Sequence, residues 1–127
     1  MGLDINFYKE SKLDDRYHEE IGYFRKVNFI LNYFNISEDM NCRKVYITKE
    51  QLEQFIGDLD SELYRKCKYG YNEPANEKLR TKHVFFGGSL DYDECYWNDI
   101  RYARDWANEA INDVDWDKDN VYIIAWW

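Results

Sequence analysis

Proline occurs once in 127 residues and glycine six times. So little of either argues against a disordered or low-complexity chain. Histidine is almost as scarce. His18 and His83 fall in neither HExxH nor any other ligand spacing, so no metal site is predicted. The three cysteines, Cys42, Cys67 and Cys95, are scattered and odd in number. Without a CxxC pair they indicate neither a zinc site nor a disulfide framework, and they read as reduced thiols in a cytosolic setting. No apolar run approaches the roughly 18 residues a membrane span needs. Asp4 interrupts the opening and no apolar h-region follows, which predicts no secretory leader. Met1-Gly2 would suit myristoylation, but position 6 is Asn where Ser or Thr is required.

Positive charge is in short supply too. Lys and Arg number 17 against 25 Asp and Glu, for a formal charge of -8. Such a surface repels phosphate, which disfavours direct DNA or RNA binding. It suits a protein partner with a basic face, including one that normally holds nucleic acid.

Aromatic residues, by contrast, are abundant. Tyr, Phe and Trp reach 19%, with 12 Tyr and 5 Trp. That exceeds what a core of this size requires, so some rings are expected on the surface or lining a pocket. Hydrophobic residues make up 45%, ample for one packed interior, and the length fits a single domain over residues 1–127.

Leu3, Ile5 and Phe7 alternate with polar neighbours and predict a half-buried strand, followed by a charged loop over 11–16. Tyr23, Phe24, Val27, Ile30, Leu31 and Phe34 share one side at helical spacing and predict a helix over about 18–35. Residues 35–42 read as a connection. Val45 and Ile47 predict a short second strand. Thr48 with Gln51 forms a capping box that opens a second helix, carried by Leu52, Phe55, Ile56, Leu59 and Leu63. Gly57 weakens that helix by roughly 1 kcal/mol relative to Ala, and 68–78 reads as loop. Val84 to Phe86 predict a third strand. Asp91 with Glu94 suggests a second capping box before a helix bearing Tyr96, Ile100, Ala103, Ala107, Ala110 and Val114. Val121 to Trp126 form an unbroken apolar run, which predicts a central strand covered on both faces. The fold class is α/β or α+β, with about four strands and three helices in β-α-β-α-β-α-β order. Parallel crossovers and a mixed sheet both fit, and strand order is open.

The chemistry-bearing segments each admit two readings. In FFGGSLDYDE (85–94) a glycine hinge leads into a helix start, where phosphates often sit. The P-loop lysine is missing, however, and Asp91, Asp93 and Glu94 would repel an anion while serving well as helix caps. Glu20 falls within the apolar stripe of the expected first helix. It is either a buried carboxylate with a raised pKa or a half-exposed acid in the first turn. Asp99 makes a similar exception on the third helix. If the two met, they would share a proton or pair with Arg25 or Arg43. Arg25 and Lys26 beside Tyr23 and Phe24 suit recognition of a base or carboxylate, or form a solvated basic edge. Asp113, Asp115, Asp117 and Asp119 have the spacing of a calcium loop. Lys118 and Ile124 stand where Gly and Glu are required, so a turn is the expectation. A Ser89–His83 hydrolase pair lacks any GxSxG elbow. The closing Trp126-Trp127 pair is expected to pack on the domain or to join a contact patch.

MGLDINFYK (1–9), EIGYFRKVN (20–28) and FFGGSLDYDECYW (85–97) together resemble a family of small phage-encoded proteins. Its members open MGLDMYL, continue with Glu-x-x-Tyr-Trp-Arg-Lys-x-Asn and later carry Phe-Phe-Phe-Gly-Ser before Tyr-Asp-Glu. Glu20, Tyr23, Arg25, Lys26, Asn28, Gly88, Ser89, Tyr92, Asp93 and Glu94 match that pattern. Phe24 stands where the family has Trp, Gly87 where it has a third Phe, and Leu31 where many members have His. A general base at that last place would be lost here. The resemblance implies a phage or prophage setting and carries no reaction.

Two functions from different classes follow. The first is a phage accessory protein that acts by non-catalytic binding in the host cytoplasm, inhibiting a host protein such as an antiviral defence factor through an acidic, aromatic face. It needs no cofactor. The alternative is a pocket for a nucleotide-like small molecule, sequestering or weakly hydrolytic. Gly87, Gly88 and Ser89 would be its backbone donors, Arg25 or Lys26 its counter-charges and Glu20 its acid or base.

Overall fold

The structure is a computed structural model that describes residues 2–81 and 91–127. The expected strand at 84–86 and the Gly87-Gly88-Ser89 hinge lie outside the described residues. Within them, four strands form one sheet: β1 (Asp4–Ser11), β2 (His18–Arg25), β3 (Val45–Ile47) and β4 (Asp119–Trp126). Three helices accompany it: α1 (Asn28–Tyr33), α2 (Lys49–Tyr69) and α3 (Glu94–Asp113). The strand order is β2-β1-β4-β3 and every pairing is antiparallel. The parallel or mixed arrangements allowed by the sequence do not occur among the described residues. β1 and β2 form a hairpin, and α2 and α3 separate β3 from β4, so the chain returns to the sheet in the opposite sense. β4 is central, as its apolar run predicts.

The strand β2 replaces the first half of the expected helix. In β1, the register passes from Phe7 opposite Gly22 to Tyr8 opposite Glu20. Ile21 is thus the extra residue of a β-bulge, which resets the alternation of β2. With that phase break, the apolar residues at 21, 24 and 27 imitate a helical period. Lys26 then takes φ 60, its N–H bonded to Leu3 O at 2.8 Å. This left-handed turn lifts the chain off the sheet and lets α1 begin at Asn28.

The bulge is held by Trp106 of α3, whose indole N–H donates to Ile21 O at 2.6 Å. Its ring lies 4.3 Å from Phe7 and 5.4 Å from Phe24, centroid to centroid. Gly22 makes this possible, because a Cβ there would stand 2.5 Å from Trp106 Nε1.

Helix α2 opens with the expected capping box. Gln51 N–H donates to Thr48 Oγ1 at 3.1 Å, and Thr48 N–H to Gln51 Oε1 at 2.8 Å. It runs slightly beyond the predicted limit and stops at Gly70, whose φ of 71 is the left-handed cap that glycine favours. The N-cap of α3 is Asp93, not Asp91, with its carboxylate accepting from Tyr96 N at 3.1 Å. Three residues on stands Tyr96 in place of Glu or Gln, so no second capping box forms. Asp115 accepts from the N–H groups of Lys118 and Asp119 at 3.0 and 2.8 Å. The acidic run at 113–119 is therefore a turn into β4. No cluster suited to a metal occurs among the described residues.

All three helices bury their apolar sides in a cluster that includes Leu3, Ile5 and Phe7 of β1, Phe24 of β2, Ile47 of β3, and Val121, Ile123 and Ala125 of β4. The segment after α2 is fastened by side chains reaching its backbone. Buried Glu62 accepts from Ala75 and Asn76 N–H groups at 3.1 and 2.8 Å. Trp97 Nε1 donates to Asn72 O at 2.9 Å and Tyr96 OH to Leu79 O. No described helix is long and apolar enough to cross a membrane.

Two glycine substitutions give opposite signs. Gly57 is exposed in α2 with nothing within 4 Å of an added Cβ, so Gly57→Ala raises stability by about 0.5–1 kcal/mol. Gly22→Ala forces the indole off the bulge and lowers stability by about 1–3 kcal/mol. Urea unfolding measures both, and equal midpoints for the two variants would refute this account.

Candidate functional site

The alternation that sends Leu3, Ile5 and Phe7 into the core sends Asp4, Asn6, Tyr8 and Glu10 to the other side of the sheet. Cross-strand pairing extends that side. Tyr23 lies opposite Asn6, Glu20 opposite Tyr8, and His18 opposite Glu10. On the other flank Trp126 lies opposite Asp4, Ile124 opposite Asn6, and Tyr122 opposite Tyr8. Tyr46 lies opposite Tyr122 in β3. None of these side chains belongs to the core cluster that receives the helices. Among the described residues, the second face of β4 is thus covered by neighbouring strands' side chains and not by a second helical layer.

The face is built from tyrosines and carboxylates in direct contact. Tyr8 and Tyr122 stack with centroids 5.3 Å apart, and Tyr46 meets Tyr122 edge-on at 5.7 Å. Tyr122 is only 3% exposed, whereas Tyr46 is 52% and Tyr23 45% exposed. Each carboxylate is held by a donor. Tyr46 OH donates to Glu10 Oε1 at 2.6 Å and Lys44 Nζ to Glu10 Oε2 at 3.0 Å. Tyr23 OH donates to Asp4, and Asn6 Nδ2 to Glu20. The Asn6 Oδ1 atom is buried with no hydrogen-bond partner among the described residues, an uncompensated acceptor in mid-sheet.

These contacts set the electrostatics. The Tyr46 hydroxyl, with Lys44 beside it, holds the Glu10 carboxyl below the usual carboxylate range despite its burial. Conversely, Glu10 raises the Tyr46 hydroxyl and Asp4 raises that of Tyr23. Groups so arranged accept hydrogen bonds and attract cations.

The residues singled out from the sequence divide between this face and its edges. Glu20, Tyr23 and Arg25 lie on the face, with Arg25 opposite Asp4 at its end. Glu20 is exposed on β2, and so is neither the buried acid nor the half-exposed first-turn acid of a helix, because its segment is a strand. Arg25, Lys26, Asn28 and Asp93 line a cleft of about 180 Å³ together with Thr81, Asp91, Tyr96 and Asp99. Burial, then the charge of Asp93, raises the Asp99 carboxyl. Glu20 lines a different cleft, between β2 and α3, so it does not meet Asp99. Tyr92 OH accepts from the Thr81 N–H at 3.1 Å, and Glu94 sits exposed in the first turn of α3. Gly87, Gly88 and Ser89 lie outside the described residues.

Asp4, Asn6, Tyr8, Glu10, Lys44, Tyr46 and Tyr122 escaped the sequence reading as site residues, whereas that reading has Trp126 either packing on the domain or joining a contact patch. The signal was present in β1: if its apolar alternates face the core, Asn6, Tyr8 and Glu10 must share the opposite side. No protein-family model, curated protein or solved structure matches the chain.

The Glu10 contacts have a pH signature. Because the folded protein holds this carboxylate ionised more firmly than the unfolded chain does, it adds stability above the ordinary carboxylate range. That stability is lost as falling pH protonates the folded group. Glu10→Gln therefore lowers the melting temperature at pH 7, and the deficit closes below about pH 4. Melting curves across that range test it, and a deficit that persists unchanged into acid would contradict the assignment.

Proposed function

We propose that this protein works by non-catalytic binding, docking the sheet face that no described helix covers on a basic surface of another protein. The observation that carries the reading is the pairing of exposed tyrosines with carboxylates already fixed by hydrogen bonds, Tyr23 with Asp4 and Tyr46 with Glu10. Acceptors held in place lose little freedom on binding. Rings beside them suit lysine and arginine side chains, through cation–π contact and charge-assisted hydrogen bonds. The overall charge of -8 steers the same class of partner and discourages nucleic acid.

The setting implied by the phage-family motifs makes a host protein the occupant, in the cytoplasm of a bacterial cell. A nucleic-acid-handling defence factor supplies the basic face this chemistry needs, and covering that face would inhibit it without any reaction. The alternative, a pocket for a nucleotide-like molecule around Arg25, Lys26 and Asn28, draws on the cleft those residues share. That cleft measures about 180 Å³, and the glycine-serine donors that reading needs, Gly87, Gly88 and Ser89, lie outside the described residues; the fixed tyrosine–carboxylate pairs support docking.

The test is capture from bacterial lysate at stepped salt, comparing the native chain with a Tyr23→Ala/Tyr46→Ala variant. A Tyr64→Ala variant, altered on α2, serves as control. The expected result is a basic protein retained by the native chain and the control, released by rising salt and lost from the double variant. Retention by all three chains, or by none across several hosts, overturns the proposal.

A further inference from the structure

Lys44, just before β3, places its ammonium 3.0 Å from Glu10 Oε2 and 4.7 Å from the centre of the Tyr122 ring. Tyr46 OH occupies the second oxygen of Glu10 at 2.6 Å, and Tyr8 stacks behind Tyr122. An aromatic ring beneath an ammonium, with a carboxylate at its N–H side, is the chemistry by which proteins accept ammonium groups from other molecules. The seat is deep and its occupant is not. The Glu10 side chain is 6% exposed and that of Lys44 41%.

We propose that Glu10, Tyr122, Tyr46 and Tyr8 form a binding site for a primary ammonium, filled in the free protein by Lys44. A lysine side chain of a basic protein partner takes the site when Lys44 swings out. This rests on reading the open face as a docking surface, and it names the group that surface recognises. Lys44 competes with the advantage of a tether. The partner's lysine arrives with the rest of its interface and competes on similar terms.

The geometry selects among cations. Glu10 needs an N–H donor, which a quaternary ammonium lacks. Because Tyr46 already holds one oxygen of Glu10, only the other oxygen is unclaimed, and the two-pronged fork of an arginine, which needs both, is poorly matched. Lysine fits.

The experiment uses the full chain carrying Lys44→Ala, titrated with n-butylammonium chloride at constant ionic strength and followed by NMR of the tyrosine rings. The expected result is saturable shifts with half-saturation in the millimolar range, together with a rise in melting temperature. The native chain, with Lys44 in place, should bind about tenfold more weakly or less. Tetramethylammonium should produce neither effect, and the Lys44→Ala/Glu10→Gln double variant should not saturate. Shifts that stay linear with concentration, that tetramethylammonium reproduces, or that survive in the double variant overturn the site. The two proposals fail separately. Saturable butylammonium binding with no captured protein leaves the ammonium site standing without the docking reading. A captured partner without saturation leaves docking standing and removes the ammonium site.

Discussion

The contact between Trp106 and the bulged strand β2 decides which side of the sheet each residue of that strand occupies. One extra residue at Ile21 shifts the phase, so Gly22 and Phe24 face the helices while Glu20 and Tyr23 face away. In a sheet, a slip of one residue inverts every side chain. The indole hydrogen bond to Ile21 O, and the absence of a Cβ at Gly22, hold the strand in that phase. Without them, Tyr23 would not reach Asp4, nor Glu20 reach Asn6. The composition of the open face therefore depends on a residue of α3, on the opposite side of the sheet.

The two faces solve burial in different ways. One is a conventional apolar interior, filled by residues such as Phe7, Phe29, Phe55 and Ile100, all almost wholly buried. The other shields its central ring, Tyr122, with further tyrosines and the stem of Lys44, and satisfies its carboxylates with hydroxyl, amide and ammonium donors. This accounts for part of the aromatic surplus, in rings that each have a polar tip and an apolar body; Tyr17, Tyr64, Tyr69, Tyr71 and Tyr102 are exposed elsewhere. Carboxylates in such a lattice are ordered before any partner arrives.

Much of the fold was legible in the sequence. The capping box at Thr48, the apolar stripe of α2, the alternation in β1 and the unbroken run of β4 each rest on local rules that the tertiary structure obeys. The failure at residues 18–25 has a definite cause. A bulge removes the period-2 signal, and the apolar residues left behind fall three apart, as on a helix. Asp93 displaced Asp91 as the cap because helix starts are fixed by geometry that several nearby acids satisfy about equally on paper. The open face was legible only in part. Its residues come from four strands, and the pairing of β1 with β4 joins positions more than a hundred apart (Asp4 with Trp126, for instance). Nothing in a local pattern announces such a pairing.

The central place of β4 has a consequence for biogenesis. The strand that bridges β1 to β3 is made after both, so during synthesis the β1–β2 hairpin and the α2–α3 helices must wait with no strand between them. The sheet closes only once residues 119–126 have left the ribosome. Such long-range closure is entropically slow. Until then the inner edge of β1 stands unpaired, the kind of intermediate on which chaperones act.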